Sequence, residues 1–244
     1  EIYLCEKEAK IHGDSKNTIE IWYRNPDYAV ANKQLDAMWS RVIKISNSPI
    51  IRYADAISRR LPGGPKFSIS HHDRDAYGLY GKMQPHIQFS KSESKQGEDF
   101  LDSVRHVAGQ KFVCVTVRDS SYKRGQFENR DLAHDDYRNN DISNFQNIAE
   151  KLASDGYLVF RMGAKVERPF GVDKPGVFDY ASNGMRTDFL DVYLSANCEI
   201  FISTVLGLDS IPEIFRVPRV LTNYIPIANF GKYGPQDLII PKQY

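Results

Sequence analysis

The sequence has few cysteines, no long apolar run and almost no excess of charge. No stretch approaches the roughly 20 apolar residues that a membrane-spanning helix needs, although 41% of the residues are hydrophobic and can form a packed core. Lys and Arg number 32 and Asp and Glu 31, a net charge of +1, so no global field attracts nucleic acid or an anionic membrane. A chain of 244 residues with this composition is long enough for one large globular domain or two small ones.

The sequence also lacks the local spacings of a zinc site. Its three cysteines, Cys5, Cys114 and Cys198, are far apart, and there is no Cys-x-x-Cys or His-x-x-x-His. We therefore expect buried thiols in a reducing compartment rather than a disulfide or a metal pair. The His-His pair at 71–72, beside two aspartates, is a weak metal candidate because adjacent residues of a strand point to opposite faces. The sequence predicts no metal and no other cofactor.

The second half of the sequence alternates strand-like and helix-like segments. Helical spacing begins near a capping pair, Ser143 with Gln146, and ends at Gly156, and Thr187 can cap a second helix. A short helix is expected at 210–216. Repeated strand, helix and strand predicts an α/β fold with a parallel sheet. The apolar runs typical of its buried strands lie at 111–119, 157–163, 199–204 and 219–225.

The first half is less regular. It predicts a strand at 18–23, helices at 32–45 and 49–61, and a loop at 61–81. A further helix should start at a Ser-Glu capping box at 90–93 and run to about residue 106, although a glycine at 97 weakens it. We place the domain boundary between residues 108 and 109, ahead of the strongest predicted strand.

Polar residues follow each predicted strand of the second half. Ligands of parallel sheets bind beyond the carboxyl ends of the strands, so these residues should line one edge of the sheet. The polar segment 134–141 lies in the loop that follows the first of these strands and should lie over the same edge. The groups expected at this edge are Arg118-Asp119, Arg161-Met162-Gly163, Ser203-Thr204 and Asn223-Tyr224.

The candidate chemistry of this edge is anion binding. Arg118, Arg138 and Arg161 could bind a diphosphate through bidentate contacts, or each could be a surface arginine paired with a nearby aspartate. The segment 203–215 offers a helix start that attracts anions, or a capping box of its own serine and glutamate at 210 and 213. Neither a Walker loop nor a dinucleotide glycine fingerprint is present.

Three stretches together are similar to a family of bacterial glycosyltransferases associated with surface-polysaccharide synthesis. They are "VTVRDSSY", "HDDYRNNDISNFQNIAEKLASDGYLVFRMG" and "FLDVYLSANCEIFISTVLGLDSIPEIFRVPRVLTNYIP". The resemblance covers about residues 85–244 and implies a GT-B-like α/β enzyme with two Rossmann-like lobes. It implies metal-independent transfer of a sugar from a nucleoside-diphosphate donor to a saccharide or lipid-linked acceptor. It also implies a cytoplasmic protein that can associate peripherally with the inner face of the membrane, with no nucleic-acid partner.

The resemblance also assigns roles to the two lobes. Residues 1–108 correspond to the acceptor-side lobe, which we expect to be incomplete because the family's Gly-His-containing stretch before "EIYLCEK" is missing. Residues 109–244 correspond to the nucleotide-sugar lobe. Two other functions remain open: epimerisation or hydrolysis of a nucleotide sugar, and non-catalytic nucleotide-sugar binding. The donor-binding residues implied are Arg118, Arg138, Asn139, Arg161, Gly163, Ser203, Thr204 and Gly207, and the candidate bases are Asp119, His134 or a residue of the first lobe.

Overall fold

The structure is a computed structural model that forms two compact units, Glu1–Phe89 and Ser90–Tyr244. The units divide between Phe89 and Ser90, so the helix that follows Ser90 belongs to the second unit, whereas the boundary expected at 108 and 109 put it in the first. The described residues are 1–13, 18–25, 28–64, 69, 75–105, 107–121, 133–226, 234 and 236–243, without the side chains of 133–135.

The first unit contains little regular structure. The helices at 32–45 and 49–61 are confirmed in shorter form, and only the last two residues of the predicted strand at 18–23 pair in a sheet. Its described part has two strands, which pair in parallel, so it does not show the Rossmann-like sheet expected for a first lobe. The elements are α1 (Ile2–Glu8), β1 (Trp22–Tyr23), α2 (Lys33–Ser40), β2 (Ile45–Ser46) and α3 (Pro49–Ser58).

The second unit is an α/β fold around a six-stranded parallel sheet, as the alternating pattern predicts. The spatial order is β5-β4-β3-β6-β7-β8. From β3 to β5 the strands are added on one side of β3, and from β6 to β8 they are added on its other side, which is a Rossmann-like strand order. The strands are β3 (Phe112–Thr116), β4 (Leu158–Met162), β5 (Val177–Phe178), β6 (Ile200–Ser203), β7 (Arg219–Tyr224) and β8 (Leu238–Pro241).

Helices connect these strands, and several of their ends were predictable. Thr187 Oγ1 accepts from the N–H of Leu190 and caps its helix, and the Ser90–Glu93 capping box forms. The predicted Ser143–Gln146 box does not, because Asp141 accepts from the N–H of Ser143 and begins a 3₁₀ turn instead. The helices are α4 (Lys91–Val104), α5 (Gln146–Ser154), α6 (Asp188–Asn197) and α7 (Ser210–Ile214), with 3₁₀ turns at Ala133–Arg138, Ile142–Phe145 and Gly207–Asp209.

The core of the second unit lies on β3 and β4, in which every residue is buried. Aromatic rings fill one side, with Phe160 stacked on Phe178 and edge-on to Phe112. Cys114 and Cys198 are buried free thiols, as expected, and burial raises the pKa of Cys114. No helix in the described ranges is both long enough and apolar enough to cross a bilayer.

The glycine in the middle of α4 has a packing role. A Cβ on Gly97 would lie 2.1 Å from the ring of Tyr193 on α6. The hydroxyl of Tyr193 donates to Glu98, the next residue of α4. Gly97 therefore lowers helix propensity but allows the aromatic ring to approach the helix backbone.

Candidate functional site

The carboxyl ends of the central strands are level with one another. Thr116 on β3 pairs with Met162 on β4 and with Ser203 on β6. The residues that follow each strand therefore emerge at one edge of the sheet, which confirms the geometric part of the prediction. Between β3 and β6 the strand order reverses, and in open parallel sheets ligands bind in the crevice outside such a switch point.

Hydrogen bonds join the loops around this switch point. The backbone N–H of Arg118 donates to Thr204 Oγ1 at 2.7 Å, which ties the loop after β3 to the loop after β6. The N–H of Asn140 donates to the carbonyl of Arg118 at 2.9 Å, and Asn140 Oδ1 accepts from the side chain of Asn223 at 2.8 Å. The later part of the polar segment 134–141 thus lies over the edge, as predicted, and links it to the end of β7.

The loop that follows β6 is held in an unusual conformation. Val205 has φ +65°, which is costly for a β-branched residue. Its N–H donates to Ser203 Oγ at 3.0 Å, and the N–H of Leu206 donates to Asp209 Oδ2 at 2.9 Å. Two backbone donors of this loop are therefore satisfied from within it, which leaves fewer free N–H groups for an anion at a helix start in 203–215.

The alternative capping box at 210 and 213 is not formed either. Ser210 Oγ donates to the carbonyl of Gly207, and Glu213 accepts from Arg219 at 2.9 Å. Asp209 precedes α7 but makes no side-chain cap on it, since its carboxylate accepts from the N–H of Leu206 ahead of the 3₁₀ turn. Burial raises the pKa of Asp209 to about 6, against the opposing effects of the Ser203 hydroxyl, the Leu206 N–H and the Arg219 guanidinium.

A cavity of about 230 Å³ opens at the same edge, between the loop after β3, the 139–142 segment and the loop after β4. Three of the predicted site residues line it: Asp119, Asn139 and Arg161. Its lining is strongly polar, with amides, carboxylates and two guanidinium groups around a small apolar wall. The remaining lining residues are Val117, Asn140, Asp141, Ile142, Glu167 and Arg168.

Arg161 is a buried structural cation as well as a cavity residue. It is 1% exposed. Its Nη1 donates to Asp179 Oδ1 and its Nη2 to the carbonyl of Arg168, both at 3.1 Å. Asp179 also accepts from the N–H of Phe170, so the pair anchors the loop that follows β4. Two of the guanidinium nitrogens of Arg161 therefore already donate hydrogen bonds within the protein.

The other cavity charges are mainly acidic. Asp119 accepts from the N–H groups of Ser121 and Glu167, and so it ties two loops together. The N–H of Ser143, and then its hydroxyl, lower the pKa of Asp141. Asp141 Oδ2 also forms an ion pair with Nη1 of the exposed Arg168, at 3.4 Å. With Glu167 the cavity has three carboxylates against two arginines, a balance that suits hydroxyl groups better than a bare diphosphate.

The remaining predicted residues lie around the cavity in different ways. Arg138 is half-buried in the 3₁₀ turn, and its carbonyl accepts from the Asn140 side chain. His134 lies in the same turn, but its side chain is outside the described atoms. Gly163 has φ +154°, and a Cβ there would lie 2.6 Å from Val166. Gly207 begins a 3₁₀ turn, and a Cβ there would meet no described atom within 4 Å beyond its chain neighbours.

Sequence reasoning missed part of the cavity. Asn140 and Asp141 lie inside the polar segment that was singled out, but without an assigned role. Glu167 and Arg168 lie in a Pro/Gly-rich loop after β4, where neither periodicity nor a motif marks a functional residue. The predicted parallel order was the available signal, because it places the loop after every strand at the same edge.

Comparisons of the chain with protein-family models, with curated proteins and with solved structures found no match. In the described part of the chain, the cavity has no converging group of His, Cys and acidic ligands for a metal ion. The His-His pair at 71–72 lies outside the described residues.

Proposed function

We propose that the second unit binds a nucleoside-diphosphate sugar at the carboxyl edge of its sheet, and that the chain is a GT-B-like glycosyltransferase. The observation that carries the proposal is the strand order β5-β4-β3-β6-β7-β8 with its switch point between β3 and β6. The resemblance of three stretches to glycosyltransferases of surface-polysaccharide synthesis agrees with this location, since all three contribute residues to the edge.

The donor's two halves would use different parts of this edge. Asn139, Asp141 and Glu167 offer amide and carboxylate groups that suit the hydroxyls of a sugar. The diphosphate would lie nearer the switch point, where Arg118 and Thr204 join the loops after β3 and β6. Arg168, which is 68% exposed at the cavity, could turn from Asp141 to a phosphate at little cost, because exposed ion pairs are weak.

Transfer would begin with attack of an acceptor hydroxyl on the anomeric carbon of the donor. The bond to the nucleoside diphosphate breaks, and fixed cations stabilise the charge on the departing phosphate. A carboxylate or imidazole takes the hydroxyl proton. Asp119 is held in place by two backbone N–H groups at the cavity, and with His134 it remains a candidate for that role.

The acceptor side has a feature that fits a lipid-linked substrate. No residue of helix α3 is buried. Its side chains Ile50, Tyr53 and Ile57 are 74%, 68% and 59% exposed. The nearby Arg52 and Arg60 add positive charge. An amphipathic helix with apolar and basic residues binds anionic bilayer surfaces, so we include peripheral contact with the membrane in the proposal. Ile57→Glu should reduce co-sedimentation with phosphatidylglycerol vesicles, and equal binding to neutral vesicles would contradict this part.

A thermal-shift screen against nucleoside diphosphates and their sugar conjugates tests the proposal. We expect one nucleotide class to stabilise the protein, and Arg168→Ala or Asn139→Ala to reduce that shift. Lys95→Ala, which alters an exposed pair on α4, is the matched control and should leave the shift unchanged. No stabilisation by any member of the panel would contradict donor binding.

The nucleotide sugar that stabilises the protein in this screen can then be used to distinguish the alternative functions. Transfer requires acceptor, so the donor should be stable without one. Rapid donor conversion in the absence of acceptor would indicate an epimerase or hydrolase. Selective binding without product, over a panel of saccharide and lipid-linked acceptors, would indicate a binding module.

A further inference from the structure

A cluster of three potential metal ligands lies in the first unit, apart from the sheet discussed above. Glu1 and Cys5 are four residues apart, and the N–H of Cys5 donates to the carbonyl of Glu1, so both side chains leave the same face of α1. His86 comes from the segment that precedes α4. One ligand atom of each residue lies within 4.8 Å of the other two.

The separations fit one shared ion. His86 Nδ1 is 3.2 Å from Glu1 Oε1, and Cys5 Sγ is 3.8 Å from the same oxygen. Around a tetrahedral zinc ion with bonds of about 2.0 to 2.3 Å, neighbouring ligand atoms are about 3.3 to 3.8 Å apart. Small side-chain adjustments would therefore bring all three atoms to bonding distance.

A fourth residue orients the imidazole. His86 Nε2 faces Glu8 Oε2 at 3.2 Å. If Nε2 carries the proton and donates it to Glu8, the lone pair of Nδ1 points to Glu1. A carboxylate behind a histidine is the usual partner that fixes the tautomer of a metal ligand and makes it more basic.

The burial of the cluster favours a cation at its centre. The Glu1 side chain is 2% exposed and that of His86 is 18% exposed, and Cys5 is fully buried. A carboxylate in such surroundings needs a partner, which His86 supplies at 3.2 Å and which a bound cation would supply more strongly. A divalent ion bound by one carboxylate, one thiolate and one neutral imidazole would form, with these three ligands, a group of zero net charge.

We propose that Glu1, Cys5 and His86 bind one Zn²⁺ ion, with Glu8 as the residue that positions His86. A mixed sulfur, nitrogen and oxygen ligand set favours Zn²⁺ over Mg²⁺ or Ca²⁺, which prefer oxygen alone. The fourth coordination position is left for water or an exogenous ligand, as at zinc sites with three protein ligands. The proposal is independent of sugar transfer, which uses residues of the second unit.

The ion would join two segments that otherwise share a small apolar contact. Cys5 packs against Leu79 and Tyr80, and both of their N–H groups donate to Asp75. Small cores commonly need a metal or a disulfide for stability. Zinc would thus fix the 75–86 segment on α1, and its removal should destabilise the first unit more than the second.

Metal titration of the full chain tests the proposal. After chelator treatment, we expect one Co²⁺ per chain to bind with the near-ultraviolet charge-transfer band of a cobalt–thiolate bond, and Zn²⁺ to displace it. His86→Gln and Cys5→Ser should each weaken Zn²⁺ binding by about 100-fold, and Glu8→Gln by about 10-fold. If Cys5→Ser does not fold, the wild-type cobalt spectrum and His86→Gln still decide.

Two matched variants serve as controls. Cys198→Ser removes a buried thiol of the second unit. His12→Gln removes another histidine that contacts a carboxylate of α1, that of Glu6. Both should keep the cobalt–thiolate band and full Zn²⁺ affinity. A wild-type chain without that band, or with Zn²⁺ affinity no higher than that of His86→Gln, would overturn the site and leave His86 as a hydrogen-bond partner of Glu1 and Glu8.

Discussion

The two units differ in what holds them together. In the second unit β3 and β4 bury every residue, whereas α3 in the first unit buries none. Beside a small apolar cluster around Cys5, Leu79 and Tyr80, the first unit has polar contacts such as the Tyr23 hydroxyl donating to Asp55 at 2.8 Å. The stabilisation from apolar burial is proportional to the buried area, so it changes little when one exposed contact is lost. A unit held mainly by polar contacts depends instead on a few specific pairs. Substitutions in the two units should therefore have different consequences.

The largest effect is expected at Arg219, at the start of β7. This arginine is 2% exposed and donates to both oxygens of Asp237 and to Glu213. Arg219→Ala leaves these carboxylates without their cation and should reduce the free energy of unfolding of the second unit by about 3–5 kcal/mol. Lys111→Ala, at the exposed pair with Glu199, should cost under about 1 kcal/mol. Similar costs for both variants in denaturant titrations would contradict the importance of the buried network.

Asp209 should make the stability of the second unit depend on pH. Burial raises the pKa of this carboxyl to about 6 from 3.8, so between pH 4 and 6 the folded state binds its proton more tightly than the unfolded chain does. Stability contributed by this group is therefore lost as pH rises through that window. The charged groups facing it are Arg219, which lowers the pKa, and Glu213, which raises it.

Asp209→Asn removes this titration. From pH 4 to pH 7 the variant should gain stability relative to the wild type by up to about 3 kcal/mol. Denaturant titrations at several pH values measure the difference. A difference that stays constant with pH would show that Asp209 does not titrate in this window.

Gly97→Ala should cost up to about 2 kcal/mol. The added Cβ meets the Tyr193 ring, and overpacking of about 1–3 kcal/mol outweighs the gain of about 1 kcal/mol in helix propensity. In a Tyr193→Ala background the clash is absent, so Gly97→Ala should become neutral or stabilising. A double-mutant cycle measures this coupling, and equal effects in the two backgrounds would exclude the packing role.

The smallest expected effect lies in the first unit, at the pair of Arg24 and Asp36. Arg24 donates from Nε and Nη2 to this carboxylate, and Arg24→Lys loses the bidentate geometry at a cost of about 1 kcal/mol. Both tryptophans, Trp22 and Trp39, lie in this unit, so tryptophan fluorescence follows its unfolding. The second unit should keep its hydrogen-exchange protection. Loss of protection in β3 and β4 would show that the two units unfold together.

The same difference explains which elements could be predicted. The strands β3, β4, β6 and β7 are visible as apolar runs, since β3 and β4 are fully buried and β6 and β7 are partly buried. The strands β5 and β8 were missed. The first has two residues, and the second is largely exposed at the outer edge of the sheet. Two-residue strands held by polar contacts, as in the first unit, leave almost no periodicity to detect.

The candidate site was predictable as a location and less so as a set of residues. The parallel order brought Asp119, Asn139 and Arg161 to one cavity. The sequence could not show that Arg161 would form an ion pair with Asp179, because Asp179 lies in a loop that carries no motif. Nor could it show the Glu1, Cys5 and His86 cluster, whose members are joined by tertiary folding across most of the first unit.

Hydrogen exchange with a stabilising nucleoside diphosphate tests the central claim most directly. We predict slower exchange in the three loops around the switch point, at 117–121, 136–142 and 203–207, with no change in α4. Protection confined to other segments, or the absence of any nucleoside diphosphate that binds, would contradict nucleotide binding at the β3–β6 switch point.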